Sequence, residues 1–135
     1  MSKTLLIIED DVVTRDLLQL VFEYDGFNCI QAENGAVGLT LLEEVKFDLI
    51  ILDNVMPKMT GLEFLALQRR SSQTPDIPII MITGLLNEDI REQATKLGVY
   101  AIIGKPYDLG ELRALVNQLS TTIHSEHREP APLQT

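Results

Sequence analysis

Short apolar runs rich in Ile and Leu recur along the chain, and amphipathic stretches of helical length separate them. Such runs are typical of strands that are buried on both faces of a parallel sheet. The predicted strands span residues 4–8, 28–32, 49–53, 78–83 and 101–104. Parallel strands are joined by right-handed crossovers, which place helices on both faces of the sheet. The pattern predicts an α/β fold with a doubly wound, five-stranded parallel sheet, and it leaves the strand order open.

Five helices are predicted between and after these strands. They cover about residues 12–24, 34–45, 62–70, 88–97 and 108–119, with Asn34 and Asp108 as N-caps. Apolar residues recur at helical spacing in the first helix and form an inner face in the last. These residues are Val13, Leu17, Leu20, Val21 and Tyr24 in the first helix and Leu109, Leu112, Leu115, Val116 and Leu119 in the last.

The length and composition indicate one globular domain. The 135 residues are 45% hydrophobic and 23% charged, and no segment approaches the ~20 consecutive apolar residues that span a bilayer. Residues 1–122 are predicted to form the domain, and residues 123–135, which are mostly polar, a disordered tail or linker stub. The first strand begins too early to leave room for a signal peptide, so a cytoplasmic protein without membrane contact is expected.

The chain is acidic, with a formal net charge of −9 at pH 7. Binding to nucleic acid depends on clustered Lys and Arg, so this charge argues against nucleic acid as a direct partner. Metal cations and positively charged proteins fit the charge better.

Polar side chains stand at the ends of four predicted strands. They are Glu9 and Asp10 after the first strand, Asp53 at the end of the third, Thr83 at the end of the fourth and Lys105 after the fifth. The carboxyl ends of the strands form the ligand crevice of an open α/β sheet, so these residues are expected to converge there. Clustered carboxylates repel one another unless a cation joins them, and hard carboxylate oxygens suit Mg²⁺. The pattern predicts a magnesium site where an Asp oxygen can attack phosphorus.

Each of these residues also has a plain structural interpretation. An acid such as Asp11 can cap the first helix, Lys105 can lie in a surface turn, and Thr83 can be an ordinary turn residue. Asp53 is harder to explain in this way, because a buried central strand ends on it. The agreement of four strand ends favours one phosphoryl-handling site, with a fixed positive charge from Lys105 and a hydroxyl donor from Thr83.

The segments around these residues resemble the response-regulator receiver domain, the phosphoacceptor module of two-component signalling. The resemblance covers about residues 3–119. The matching segments are Leu6-Ile7-Ile8-Glu9-Asp10-Asp11, Leu52-Asp53-Asn54-Val55-Met56-Pro57 with Gly61 after it, Met81-Ile82-Thr83-Gly84, and Gly104-Lys105-Pro106-Tyr107. The resemblance implies a flavodoxin-like sheet with strand order 2-1-3-4-5.

The resemblance also implies a role for each site residue. Asp53 is implied to be the phosphoacceptor, Thr83 to move toward the phosphoryl group, and Lys105 to bind a phosphoryl oxygen. The implied ligands of Mg²⁺ are Asp53, Asp10, Glu9 acting through water, and the backbone carbonyl of Val55. A sensor histidine kinase or a histidine phosphotransfer protein is implied to be the donor.

The output implied by the resemblance is a switch. Phosphorylation is expected to change the surface of helix 4, strand 5 and helix 5, and with it the affinity for a downstream protein target. The chain is then expected to act as a signalling switch and not as an enzyme on other substrates. It is expected to work as a monomer or as a phosphorylation-dependent dimer.

Three features depart from the family pattern. Ile102 stands three residues before the strand-end lysine, where the family commonly has an aromatic residue that couples the site to the output surface, and Tyr100 is interpreted as an ordinary strand aromatic. Gly84 stands where Ala is frequent, which gives its loop more backbone freedom. Val55 and Leu85 are apolar at positions that influence the hydrolytic water, which predicts a long-lived phosphoryl group.

Two other interpretations stay open. A pseudo-receiver would keep the fold and act as a protein-interaction adapter without phosphotransfer, as Ile102 and Gly84 allow. An enzyme on a similar sheet could be a flavin carrier or a hydrolase of the haloacid-dehalogenase type. The flavin carrier would need a small-residue phosphate loop where Glu9 to Asp11 stand, and the hydrolase would need a second Asp where Val55 stands.

Overall fold

The structure, a computed structural model, describes residues 2–71 and 75–128. Strands and helices alternate along the chain. The elements are β1 (Thr4–Ile8), α1 (Val12–Tyr24), β2 (Asn28–Ala32), α2 (Gly35–Glu44), β3 (Leu49–Asp53), α3 (Gly61–Arg69), β4 (Ile79–Thr83), α4 (Glu88–Lys96), β5 (Ala101–Gly104) and α5 (Leu109–Arg128). Each predicted strand is confirmed to within one residue.

The five strands form one parallel sheet with the order β2-β1-β3-β4-β5. This confirms both the fold class and the strand order that the resemblance implies. Every residue of β3 and β4 is buried, because helices cover both faces of these central strands. One apolar cluster packs on each face, the first around Phe64 and the second around Phe22. No helix in the described ranges is both long and apolar enough to cross a membrane.

The helix ends follow local capping chemistry. Asn34 accepts a hydrogen bond from the Val37 amide at 2.9 Å and caps α2, and Asp108 accepts one from the Glu111 amide at 3.2 Å and caps α5. Gly26 and Gly98 have φ values of 100° and 83°, a conformation that glycine adopts without strain, directly after α1 and α4.

The last helix is longer than predicted. It continues to Arg128 instead of ending near residue 119, because neither Gly nor Pro occurs between residues 111 and 129 to stop it. Helical backbone therefore occupies residues 123–128 of the predicted disordered tail. Residues 129–135 of that tail, and residues 72–74 of the predicted polar connection, lie outside the described residues.

The apolar residues by which the sequence identifies α1 lie mainly on its outer face. Val13, Leu17, Leu20 and Tyr24 are 71%, 48%, 69% and 85% exposed. The core side of α1 is formed instead by Leu18 and Phe22. Two apolar stripes run along the same helix, and only one of them packs on the sheet.

Candidate functional site

Three carboxylates meet at the carboxyl ends of β1 and β3. Glu9, Asp10 and Asp53 each offer an oxygen within 4.8 Å of the others, a spacing at which one cation can bind all three. Glu9 is 5% exposed and Asp53 2% exposed, whereas Asp10 is open to solvent. The site thus combines two buried acids, which a cation can neutralise, with one acid at the entrance. Hard carboxylate oxygens of this number and spacing suit Mg²⁺.

Lys105 brings a positive charge into the acid cluster from the end of β5. Its Nζ lies 3.3 Å from Asp53 Oδ1 and 3.4 Å from Glu9 Oε1. A single ammonium therefore bridges the two buried carboxylates from a residue far away in the sequence. The structure brings the predicted lysine into the predicted site.

The backbone around Asp53 is fixed by hydrogen bonds of Asn54, to which the sequence assigned no role. The Asn54 amide donates to the Ile82 carbonyl at 3.0 Å, the Asn54 carbonyl accepts from the Gly61 amide at 2.9 Å, and Asn54 Oδ1 accepts from the Leu62 amide at 2.9 Å. Asn54 thereby ties the end of β3 to β4 and to the start of α3. Asn54 lies in one of the segments that resemble the receiver domain, but the residue type alone does not reveal this role.

Glu9 is also held by its neighbours. Its Oε2 accepts a hydrogen bond from the Asp11 amide at 3.1 Å, and its carbonyl accepts one from Arg15 Nη1 at 2.7 Å. Asp11 itself caps α1, since its side chain accepts from the Thr14 amide at 2.9 Å. The capping interpretation is therefore confirmed for Asp11, whereas Glu9 and Asp10 belong to the acid cluster.

Thr83 is fully buried at the end of β4, and its hydroxyl oxygen accepts a hydrogen bond from the Leu85 amide at 3.0 Å. The hydroxyl thus holds the first turn of the β4–α4 loop. Any movement of the Thr83 side chain toward Asp53 would have to give up this bond.

The rim of the site is partly apolar. Val55 is 47% exposed and Leu85 60% exposed, and the Val55 amide lies 3.4 Å from Asp53 Oδ1. Ile102 is half-buried and packs against the core, whereas Tyr100 is 43% exposed. Val55 and Leu85 are thus exposed apolar side chains at the rim, and the positions of Ile102 and Tyr100 do not assign a role to either residue.

The electrostatics of the cluster follow from burial of like charges. Burial, aided by the charge of Asp53, raises the pKa of Glu9 to about 7. Burial also raises the pKa of Asp53, although Lys105 works in the opposite direction. Burial disfavours the ammonium of Lys105, but Asp53 and Glu9 outweigh it and raise the pKa of that side chain. The cluster therefore binds protons near neutral pH when no metal ion offsets its charge.

Stability without divalent cations is expected to decrease as the pH rises from about 5 to about 7, by about 1–2 kcal/mol in the free energy of unfolding. The folded protein holds a proton on Glu9, whose pKa is raised to about 7, whereas this carboxyl ionises at lower pH in the unfolded chain. Asp11 and Asp25 have lowered pKa values and act at more acidic pH. Urea unfolding in EDTA measures the slope, and Glu9→Gln should flatten it. An equally steep slope in that variant would assign the protons elsewhere.

Comparison with known proteins gives a consistent picture. The family model described as response regulator receiver domain matches residues 5–117. The chain is 35% identical over 113 residues to the phosphate regulon transcriptional regulatory protein PhoB of Pseudomonas aeruginosa, covering 84% of this chain and 49% of that protein. It is 35% identical over 115 residues to the DNA-binding dual master transcriptional regulator RpaA of Synechocystis sp., covering 85% and 48%. The chain spans about half the length of these relatives.

Solved structures resemble the fold over most of the chain. Chemotaxis protein CheY4 of Vibrio cholerae has a TM-score of 0.83 and 25% sequence identity, covering 88% of this chain and 99% of that one. The response regulator TrrA of Thermotoga maritima, solved in complex with Mg²⁺ and BeF, has a TM-score of 0.75 and 28% identity, covering 87% and 98%.

Proposed function

Because the chain belongs to the response regulator receiver domain family, whose members are signalling switches, we propose that it accepts a phosphoryl group on Asp53. The donor is the phosphohistidine of a sensor histidine kinase or of a histidine phosphotransfer protein. The observation that carries the proposal is the convergence of Glu9, Asp10, Asp53 and Lys105 at one sheet edge. Membership in this family argues against the flavin-carrier and dehalogenase-type interpretations.

The transfer exchanges one bond for another. An oxygen of Asp53 attacks phosphorus, a P–O bond forms, and the P–N bond to the donor imidazole breaks with its electron pair returning to nitrogen. Lys105 is freed from its carboxylate partners and binds a phosphoryl oxygen. Thr83 gives up the Leu85 amide and donates its hydroxyl hydrogen to another phosphoryl oxygen.

The acid cluster fits a bound Mg²⁺. Asp10 and Asp53 would be direct ligands, Glu9 would act through water, and the carbonyl of Val55 would complete the protein's share of the site. The ion would neutralise negative charge on the carboxylates and on the transferred phosphoryl group. This chain's contribution is to hold the acids within reach of one another, which it does through Asn54 and the Asp11 amide.

The proposed function includes a domain division, an output and a location. Residues 1–122 are the receiver unit, and residues 123–135 are a tail or linker.

The output surface is formed by α4, β5 and α5. After phosphorylation, this surface changes its affinity for a downstream protein, and the protein acts as a monomer or as a dimer. The exposed side chains of α4 are mainly charged, which is compatible with a protein partner and offers no basic patch for nucleic acid. The protein acts in the cytoplasm, where histidine kinases phosphorylate their partners.

The exposed stripe of α1, formed by Val13, Leu17, Leu20 and Tyr24, is the proposed docking surface of the phosphohistidine protein. It begins three residues after Asp10 and therefore starts beside the opening of the acid cluster. The exposed acids Asp16 and Glu23 lie on the same helix. A donor helix with an apolar stripe flanked by Lys or Arg would complement this surface.

Leu20→Glu is expected to slow phosphotransfer from a protein donor at least about tenfold, because a charge in an apolar contact costs more than 1 kcal/mol. Phosphorylation by acetyl phosphate should stay within about twofold of the wild type, since a small donor needs no docking surface. Leu67→Glu on α3, also an exposed leucine, is the matched control. Equal losses with both donors would place the defect in the acid cluster and not in docking.

Val55→Asn is expected to shorten the phosphoryl lifetime by about tenfold, the effect of one hydrogen bond to the attacking water. The wild type offers only apolar side chains at the two rim positions, Val55 and Leu85, so neither orients water. The measurement is the loss of phosphate from purified protein with Mg²⁺ present. Rapid loss in the wild type, unchanged in the variant, would contradict the proposal.

The test of the proposed function is formation of a phosphoryl adduct on Asp53 in the presence of Mg²⁺, located by peptide mass spectrometry. Acetyl phosphate is the first donor, and beryllofluoride binding is the second measurement because this group mimics a phosphoryl group. An adduct and beryllofluoride binding are both expected to require Mg²⁺. Absence of both would favour the adapter interpretation, in which the fold persists without phosphotransfer.

A further inference from the structure

The helix α4 is held by different means at its two ends. Of its side chains, only Ala94 is buried, so apolar packing contributes little along its length. At its N-terminal end, the loop of residues 84–87 is exposed except for Leu86, which is half-buried. Among the described residues, one hydrogen bond links this loop to β4: the Leu85 amide donates to the Thr83 hydroxyl oxygen.

The C-terminal end of α4 is tied much more firmly, by the guanidinium of Arg69 at the end of α3. Arg69 Nε donates to the Leu97 carbonyl at 2.8 Å, and Nη2 donates to the Gly98 carbonyl at 3.0 Å. The same side chain donates through Nη1 to the carbonyls of Pro75 and Ile77 at 2.8 and 3.0 Å. One residue thus joins the end of α3, the approach to β4 and the turn that follows α4.

We propose that Arg69 is a positioning residue that fixes the C-terminal end of α4, so that a change at Thr83 moves only the N-terminal end. Four backbone carbonyls from two segments converge on one planar cation, an arrangement that a flexible lysine cannot reproduce. At the opposite end, one hydrogen bond of the described residues links the loop to β4, and its acceptor is the hydroxyl that the site can recruit. In this arrangement, which we call the α4 lever, the N-terminal end of α4 moves while Leu97 and Gly98 stay in place.

This role of Arg69 determines which part of α4 moves when the switch operates. None of the Arg69 hydrogen bonds to backbone carbonyls involves Thr83 or the loop of residues 84–87, so Arg69 is expected to leave the balance between the two states unchanged. It determines which part of α4 responds. The surface that changes would be the N-terminal half of α4 and the loop before it, whereas the turn between α4 and β5 stays fixed.

Hydrogen exchange followed by mass spectrometry tests the lever in the apo protein. Thr83→Ala removes the acceptor of the Leu85 amide, and exchange of residues 85–90 is expected to accelerate about tenfold, while residues 97–101 keep the wild-type rate. Arg69→Gln should accelerate exchange at residues 97–101. In the Thr83→Ala, Arg69→Gln double variant, the faster exchange should extend along the whole of α4, which two independent structural losses would not produce.

The matched control is Arg113→Gln, which removes a bidentate ion pair of Arg113 with Asp25 between α5 and α1. It should leave exchange at residues 84–101 unchanged. The proposal is overturned if Thr83→Ala accelerates residues 97–101 as much as residues 85–90, or if Arg69→Gln leaves residues 97–101 unaltered. Should Arg69→Gln fail to fold, the single Thr83→Ala measurement still decides between these outcomes.

Beryllofluoride with Mg²⁺ supplies a second arm, which rests on the proposed function. The same confinement of exchange changes to residues 85–90 is expected when the mimic recruits Thr83, with about the same beryllofluoride affinity in Arg69→Gln as in the wild type. If the mimic does not bind, the proposed function fails, and the apo measurement on Thr83→Ala still judges the lever.

Discussion

Asp53→Asn is expected to abolish the phosphoryl adduct and, without Mg²⁺, to stabilise the folded protein by about 1–2 kcal/mol. The adduct is lost because the amide has no nucleophilic carboxylate oxygen. The gain in stability has a different origin: Asp53 is 2% exposed beside Glu9, and burial raises its pKa. Replacing a buried carboxylate by a neutral group of the same shape removes that cost, while Lys105 keeps Glu9 as a partner.

The measurement is urea unfolding in EDTA and in excess Mg²⁺. Mg²⁺ should stabilise the wild type strongly and the variant weakly, because binding to the folded state adds stability only where the ligands are present. Asp16→Asn, an exposed acid on α1, should change stability by less than about 0.5 kcal/mol in both conditions. Lower stability of Asp53→Asn in EDTA would show that the ion pair with Lys105 outweighs the burial of charge.

The strands and the positions of the strand-end residues were predictable for the same reason. Buried parallel strands are short apolar runs that stop at a polar residue, and in this fold the stopping residues form the site. Asp53, Thr83 and Lys105 could therefore be found without knowing the strand order. The order itself was implied by family resemblance, since the alternation of strands and helices is compatible with several topologies.

Some features of the structure depended on information that a single sequence does not contain. In α1, both the stripe through Leu17 and Leu20 and the pair of Leu18 and Phe22 have helical spacing. Periodicity marks an apolar face, but it does not say whether the sheet or another protein covers it. The roles of Asn54 and Arg69 were missed because both act through backbone groups, which leave no pattern of residue types.

Gly61→Ala is expected to destabilise the protein by about 3 kcal/mol and to prevent beryllofluoride binding. A Cβ at this position would lie 2.7 Å from the Asn54 Cα and 2.7 Å from the Asp53 carbonyl oxygen. Both atoms belong to the backbone, which cannot turn away as a side-chain end can. The start of α3 would be forced away from β3, and the Asp53 carboxylate would lose its position beside Lys105.

Alanine substitutions at two other glycines serve as controls for Gly61→Ala. A Cβ at Gly38 would lie 2.7 Å from Ile8 Cδ1, the far end of a side chain, so Gly38→Ala should cost less than Gly61→Ala. Gly84 has no atom within 4 Å of such a Cβ, and Gly84→Ala should be neutral or slightly stabilising. The free energy of unfolding is therefore expected to be highest for Gly84→Ala, lower for Gly38→Ala and lowest for Gly61→Ala. This order measures how rigidly the atoms next to each new Cβ are held. A Gly61→Ala protein as stable as Gly84→Ala would mean that the backbone at Asp53 yields easily, which is incompatible with a site held in place by Asn54.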